Sequence, residues 1–300
     1  MHHYQFYGLQ IASAFELPEA SGTEPEVEGQ YRADLTIVKG QVPAEVPDFV
    51  DMADAYELGK DSILLAIPRV GRFWMRGGSE MIVDPHPLAR MEEIRIYVLG
   101  MGMGAILHQR NMLALHGSAV EIDGVAVGFL GESGTGKSTM AALLGERGHK
   151  IVSDDVLVIS FTSDGSPMVH PGLPTLKVWP DVMEQIDTYS LLALPSLVKK
   201  RAYRNDLFLK QPIRLSKLYL LEWLLPRAAA SEVDDVPAME VPIRLLRNLY
   251  RPELVSTVRH QQNFMLSSLS VARSAVVKTF RRSSDFSSSL PDEQMRGGDC

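Results

Sequence analysis

The stretch that decides the fold is Val125-Ala126-Val127-Gly128-Phe129-Leu130-Gly131-Glu132-Ser133-Gly134-Thr135-Gly136-Lys137-Ser138. Residues 125–130 are apolar or small and predict a strand. Residues 131–138 match the pattern G-x-x-x-x-G-K-[ST] at every fixed position. The glycines let successive backbone N–H groups turn toward one anion, and the following helix presents its positive N-terminal end to the same point. This order predicts a phosphate-binding loop (P-loop) in an α/β protein.

The loop also predicts how Mg²⁺-ATP is held. Lys137 would place its charge between the β- and γ-phosphates, and the Ser138 hydroxyl would ligate Mg²⁺. We expect Lys137 to lie on an exposed loop. The other predicted nucleotide-binding residues are Gly131, Glu132, Ser133, Gly134, Thr135, Gly136 and Thr139.

Strand-like runs surround this loop. Residues 118–122 precede it and are joined to the loop strand by Asp123-Gly124, which predicts a tight hairpin. After the predicted helix, a strand at 150–159 is interrupted by the pair Asp154 and Asp155, and Asp154 lies 17 residues after Lys137. Such a short crossover predicts a strand parallel and adjacent to the loop strand, with the acidic pair facing the γ-phosphate. One carboxylate would polarise an acceptor hydroxyl and the other would help to hold the metal.

Composition excludes several classes of protein. The 300 residues carry a formal net charge of −7 and a pI of about 5.6, so no overall basic field draws the chain to nucleic acid or anionic lipid. The apolar stretch at 96–107 is broken by three glycines and falls short of the roughly 20 residues of a spanning helix. The one cysteine, Cys300, excludes an internal disulfide. With no secretory signal at the N-terminus, we expect a cytoplasmic protein.

The pattern along the chain predicts four regions. They are a β-rich N-terminal domain at 1–86, a linking helix at 87–110, the P-loop kinase domain at 111–280 and a serine-rich, disordered tail at 281–300. Within the third region we expect a buried strand at 217–225 and helices at 243–254 and 258–277.

A resemblance to a known family rests on four motifs. They are Leu115-His116-Gly117, the loop at 131–138, Arg147-Gly148-His149 and Ser153-Asp154-Asp155. Together they resemble the catalytic core of the HPr kinase/phosphorylase family, whose core is related to phosphoenolpyruvate carboxykinase. The resemblance implies an ATP-dependent phosphotransferase with Asp154 as catalytic base, Asp155 as a supporting residue and metal ligand, and His116 in the active site. A lone histidine at a strand start is otherwise most often a hydrogen-bonded core residue.

Motifs on either side of this core resemble a subgroup of the family, and one segment differs from the regulatory enzyme. Tyr7-Gly8-Leu9, Pro171-Gly172 and Tyr250-Arg251-Pro252 look like the shorter relatives in peptide-modification clusters, which include kinases of lasso-peptide precursors. The regulatory enzyme of the family has a Glu-x-Arg-Gly segment where this chain has residues 170–173, His-Pro-Gly-Leu. We therefore do not expect phosphorylase activity.

A basic run supplies further candidate phosphate contacts. Lys199, Lys200 and Arg201 are most simply a solvated patch, but a kinase must neutralise the charge of the transferring phosphoryl group. We take Lys200 and Arg201 as candidate nucleotide-binding residues, and the sequence does not choose among the three.

Three functions follow. The first is a serine kinase of a ribosomally made precursor peptide, with no nucleic-acid or membrane partner and a homo-oligomer left open. The second is a kinase of a small hydroxylated metabolite. The third is an ATP-dependent switch protein. A GTP-dependent switch is disfavoured because no Asn-Lys-x-Asp segment for reading guanine is present.

Overall fold

The computed structural model describes residues 1–23, 32–46, 49–53, 56–179, 190–191, 201–204, 207–223, 231–255 and 258–282. The chain divides into two compact units. One unit consists of residues 1–114 and 250–264, and the other of residues 115–249 and 265–300.

The first unit is built on one eight-stranded sheet. Its strands are β1 (His2–Phe6), β2 (Leu9–Ser13), β3 (Leu35–Lys39), β4 (Phe49–Ala53), β5 (Tyr56–Gly59), β6 (Ser62–Ile67), β7 (Gly71–Arg76) and β8 (Glu80–Pro85). The order across the sheet is β1-β2-β3-β8-β7-β6-β5-β4. The β2–β3 and β3–β8 pairs are parallel, while the other pairs are antiparallel.

A helical segment follows this sheet. It consists of α1 (Met91–Tyr97), a π-helical turn (Val98–Gly102) and α2 (Met103–Gln109). Val98, Ile106 and Leu107 are fully buried.

The second unit contains the loop and a mixed sheet. Its strands are β9 (Leu113–Ile122), β10 (Val125–Leu130), β11 (Ile151–Ser153), β12 (Val156–Phe161), β13 (Pro167–His170), β17 (Ile213–Trp223), β18 (Glu232–Asp235) and β19 (Val276–Arg282). The order is β10-β9-β12-β13-β17-β19-β18, with β11 on β9 and a further pairing of β10 with β17. Three short strands, β14 (Thr175–Val178), β15 (Ser190–Leu191) and β16 (Arg201–Arg204), form a separate sheet.

The β9–β10 hairpin has the predicted turn. Asp123 and Gly124 have φ angles of 51° and 80°, the pair of positive values that a type I′ turn requires. The turn sets the register that pairs Leu130, the last residue before the loop, with Gly117.

The predicted neighbour of the loop strand is wrong. The chain returns from the loop helix as β11, which pairs antiparallel with β9 and not with β10. Because β9 is itself antiparallel to β10, β11 runs in the direction of β10 but one strand away. The parallel neighbour of β10 is β17, and β19 pairs parallel with β17 on its other side.

Among the described residues of the chain's second half, the helices are α3 (Lys137–Glu146), α4 (Val241–Leu246) and α5 (Val258–Ser274), with a 3₁₀ turn at Pro252–Leu254. The last two helices are shorter than those predicted at 243–254 and 258–277. Residues 276–282 form β19, so the predicted helix ends too late and the predicted tail begins too early. Residues 283–300 lie outside the described part of the chain, as do residues 224 and 225 of the predicted strand.

Packing explains where α3 lies. Met140, Ala141 and Leu144 are buried in one cluster with Phe129 of β10 and Tyr219 of β17. The cluster holds the first turn of α3, and with it the loop, against the strand ends. Within the described ranges, none of the helices combines the length and apolar character that crossing a bilayer requires.

Candidate active site

The glycine-rich loop connects β10 directly to α3. Its first residue, Gly131, has a φ of +143°, and a Cβ at this position would lie 2.6 Å from the Leu221 carbonyl oxygen of β17. Only glycine leaves room for the loop to begin this close to the neighbouring strand. The site therefore starts where two parallel strands end side by side.

Lys137 is folded back onto its own loop. Its Nζ donates to the carbonyl oxygens of Gly131 at 2.7 Å and Glu132 at 2.8 Å, and the residue is only 6% exposed. The tip of the loop is exposed as expected, but Lys137 itself is buried, because these two carbonyls hold the ammonium inside the curl of the loop. Thr135 tightens the same curl through a hydrogen bond from its Oγ1 to the Glu132 carbonyl, 2.9 Å long.

Asp154 is a buried carboxylate with fixed partners. It is 4% exposed, and its two oxygens accept hydrogen bonds from the Ser118 hydroxyl at 2.6 Å and the Lys177 backbone N–H at 2.8 Å. Strands β9 and β14 thus orient this carboxylate from two directions. Each oxygen retains a further lone pair for another donor.

Asp155 is the more accessible member of the acidic pair. Its side chain is 27% exposed, and its carboxylate lies 2.8 Å from Lys177 Nζ and 3.4 Å from His116 Nδ1. It adopts a left-handed φ of +72°, which turns the chain between β11 and β12. This turn directs the two adjacent carboxylates to different partners.

His116 connects the loop with the acidic pair. Burial lowers the pKa of His116 below its ordinary value, and the charge of Lys137 lowers it further. The carboxylates of Asp155 and Asp154 oppose this shift but do not cancel it. His116 therefore lies within electrostatic range of Lys137 and of both carboxylates, and it is mostly neutral at neutral pH.

Three contacts that shape the site were not predicted from the sequence. Ser118 and the backbone of Lys177 orient Asp154, and Arg282 donates to the Thr135 carbonyl. Ser118 leaves a weak signal, a hydroxyl within an otherwise apolar strand. Nothing local marks the other two, because their roles depend on strand pairings far apart in sequence.

The remaining predicted residues are placed as follows. Glu132, Ser133 and Gly134 are exposed at the loop tip, while Ser138 and Thr139 are half-buried in the first turn of α3. Lys199 and Lys200 lie outside the described residues. Arg201 belongs to β16, and its side chain is outside the description as well.

The oxygen donors present fit Mg²⁺. Among the described residues, no group of three or more His, Cys, Asp or Glu side chains is arranged around a metal position. Mg²⁺ commonly binds through one or two protein oxygens together with substrate phosphates and water. The Ser138 hydroxyl and the accessible Asp155 carboxylate supply oxygens of this kind.

Comparison with known proteins finds similarity in the part of the chain that contains the loop and the acidic pair. Residues 108–169 match the family HPr Serine kinase C-terminal domain. The HPr kinase/phosphorylase of Thermoanaerobacter sp. (strain X514) is 29% identical over 161 residues, which is 51% of this chain and 50% of that protein. The HPr kinase/phosphorylase of Treponema pallidum (strain Nichols) is 48% identical over 54 residues, 18% of this chain and 17% of that protein.

A solved structure gives a weaker match. The Hpr(Ser) kinase/phosphatase from Coxiella burnetii is 18% identical and covers 41% of this chain and 77% of that one, with a TM-score of 0.24. The chain spans about half the length of the Thermoanaerobacter relative.

The described residues form a mixed α/β protein. Through residues 108–169, the chain is similar to the HPr kinase-like family.

Proposed function

We propose that this protein is an ATP-dependent kinase that transfers a phosphoryl group to a serine hydroxyl of a polypeptide. One observation carries the proposal: strand β9 joins the loop to the acidic pair. Its Gly117 pairs with Leu130 at the start of the loop, its Ser118 donates to Asp154 at 2.6 Å, and its His116 lies 3.4 Å from the Asp155 carboxylate. A phosphate-binding group and potential proton acceptors therefore meet at one site. The match of residues 108–169 to an HPr kinase domain supports the same chemistry.

In the proposed reaction the loop binds the triphosphate and the acidic pair serves the acceptor. Lys137 leaves the loop carbonyls to contact the β- and γ-phosphates. Ser138 and Asp155 would hold Mg²⁺, which would supply neutralisation of the phosphate charge. Asp154, oriented by Ser118 and the Lys177 N–H, takes the proton of the serine hydroxyl. Neutral His116 supports the Asp155 side of the site.

We propose that the acceptor is a serine of a ribosomally made precursor peptide of the lasso type. The flanking motifs at 7–9, 171–172 and 250–252 support this choice. The matched relatives are named HPr kinase/phosphorylase, which supports a polypeptide acceptor more generally. The proposal is for a kinase without phosphorylase activity, since residues 170–173 lack the acidic segment of the regulatory enzyme. A cytoplasmic location belongs to the same proposal.

The test is phosphotransfer to defined peptides. The protein is incubated with Mg²⁺-ATP and serine-ending precursor peptides, and we expect a mass gain of one phosphate group that disappears when the peptide serine is alanine. Lys137→Ala should lose at least about 100-fold in activity, because it removes the cation that neutralises the transferring group. Phosphorylation of small hydroxylated metabolites alone would replace the peptide proposal. Slow ATP hydrolysis with no acceptor at all would favour the switch.

A further inference from the structure

A buried arginine at the end of the described chain contacts the phosphate-binding loop. Arg282 lies at the last position of β19 and is 5% exposed. Its Nη1 donates to the Thr135 carbonyl oxygen at 2.8 Å. Its guanidinium carbon lies 4.3 Å from the ring centroid of Trp223, the cross-strand partner of Arg282 on β17.

Burying the charged guanidinium of Arg282 costs desolvation free energy, which its contacts with Thr135 and Trp223 must offset. Desolvation lowers the pKa of Arg282 to about 10, which leaves the group charged at neutral pH. The planar guanidinium places one face on the indole ring while its edge donates to the carbonyl. A lysine ammonium at this position cannot make both contacts in the same geometry.

The contact fixes the direction of a peptide unit in the loop. In a trans peptide, the carbonyl of Thr135 and the N–H of Gly136 point in opposite directions. Holding the Thr135 oxygen toward β19 therefore turns the Gly136 N–H to the other side of the loop. That peptide immediately precedes Lys137 and the start of α3, where backbone N–H groups bind phosphate in loops of this kind.

We propose that Arg282 is a positioning residue that holds the phosphate-binding loop in its nucleotide-ready form, with Trp223 supporting it from β17. The inference rests on the proposed function, since it assigns the loop to a nucleotide. It also ties the loop to a residue 147 positions away in sequence. Arg282 acts through the loop backbone and takes no part in bond making.

The experiment compares Arg282→Met, Arg282→Lys and Trp223→Leu with the wild type. The matched control is Arg281→Met, because Arg281 is a neighbouring, part-exposed arginine that pairs with Glu222, Glu232 and Asp234 on the surface. Amide hydrogen exchange of residues 131–138 is measured without nucleotide, and KM for ATP and kcat are measured with the peptide. Thermal unfolding identifies variants that have lost the fold.

We expect Arg282→Met to speed exchange in the loop about tenfold and to raise KM for ATP by about the same factor, with kcat changed much less. Arg282→Lys should recover part of both effects, and Trp223→Leu should show a weaker form of them. Arg281→Met should leave both unchanged. If Arg282→Met does not fold, loop exchange and KM for ATP in Arg282→Lys and Trp223→Leu test the inference.

Unchanged loop exchange in the folded Arg282 variants would overturn the inference. So would faster exchange with an unchanged KM for ATP, since the contact would then be structural only. A wild-type protein that does not bind ATP would refute the proposed function and the nucleotide role of Arg282 together. The loop exchange would in that case still show whether Arg282 orders the loop.

Discussion

Asp154 and Asp155 are adjacent in sequence but have different surroundings. Asp154 is almost fully buried and accepts two hydrogen bonds from protein donors. Asp155 is part-exposed and carries Lys177 and His116 on its carboxylate. A buried, oriented carboxylate suits proton acceptance, and an accessible one suits contact with a metal and its water.

The acidic pair should therefore respond differently to amide substitution. Asp154→Asn keeps the shape but cannot take a proton, so we expect transfer to fall about 10²- to 10⁴-fold while ATP affinity changes only a few fold. The new amide group must also face the Ser118 hydroxyl or the Lys177 N–H, so stability should fall by about 1–3 kcal/mol. Asp155→Asn should raise the Mg²⁺ concentration needed for activity and be partly rescued by more metal.

The measurement is a Mg²⁺ titration of phosphotransfer for both variants, with ATP binding followed separately. Ser118→Ala is the matched control, because it removes one hydrogen bond to Asp154 and keeps the carboxylate. It should reduce transfer less than Asp154→Asn does. Metal rescue of Asp154→Asn, with none for Asp155→Asn, would reverse the two roles.

At the scale of elements, the start of the loop depends on its distance from β17. A methyl group on Gly131 would meet the Leu221 carbonyl at 2.6 Å, whereas one on Gly134 would have no neighbour within 4 Å. Both glycines have positive φ angles, 143° and 89°, so backbone strain is present at each position. Comparing alanine substitutions at the two positions therefore distinguishes a steric clash combined with backbone strain, at Gly131, from backbone strain alone, at Gly134.

Gly131→Ala should be the more destabilising of the two substitutions. Gly134→Ala should cost about 1 kcal/mol from strain, while Gly131→Ala should cost at least about 2 kcal/mol because loop and strand must move apart. Urea unfolding of both variants measures the difference. Equal costs would show that the loop begins farther from β17 than the structure places it.

The sequence predicts the local elements around the loop well. The Asp123-Gly124 hairpin, the strand before the loop and the helix after it follow from turn chemistry and periodicity over short windows. The pairing of β11 with β9, and of β10 with β17, depends on which strands meet across long stretches of chain. The length of the connection between two strands does not determine which strands pair. The prediction that the strand after the loop helix lies beside β10 is therefore wrong.

Residues of the site that lie close together in sequence are predicted, whereas a contact that depends on distant strand pairing is not. Lys137, Asp154, Asp155 and His116 belong to motifs that occupy residues 115–155, and the structure brings them together. The contact from Arg282 arises only because β19 pairs with β17 and ends beside the loop. Arg282 follows the long helix α5 and falls within the tail predicted at 281–300.

At the scale of the whole molecule, buried or half-buried histidines occur in both units. His108 belongs to the first unit, and His116 and His170 belong to the second. Burial is the largest cause that lowers the pKa of each below 6.5. In His108 and His170 one ring nitrogen is hydrogen-bonded, to the Tyr250 carbonyl and the Ser160 hydroxyl respectively. The Nδ1 atom of each is buried with no hydrogen-bond partner in the described part of the structure.

We therefore expect mild acid to destabilise the protein. Between the lowered pKa values and 6.5, the unfolded chain binds protons on these histidines that the folded chain does not, so the free energy of unfolding must fall as pH falls. This contribution is fully present above pH 6.5 and is lost as pH drops through the folded-state pKa values.

Urea unfolding at about pH 7.5 and about pH 5.5 measures this loss of stability. His108→Gln and His170→Gln, which keep a hydrogen-bonding group without a titrating ring, should each reduce the loss of stability on acidification, whatever their own effect at about pH 7.5. The exposed His2→Gln is the matched control and should leave the loss unchanged. A pH dependence that is the same in all three variants would show that these buried histidines are not its source.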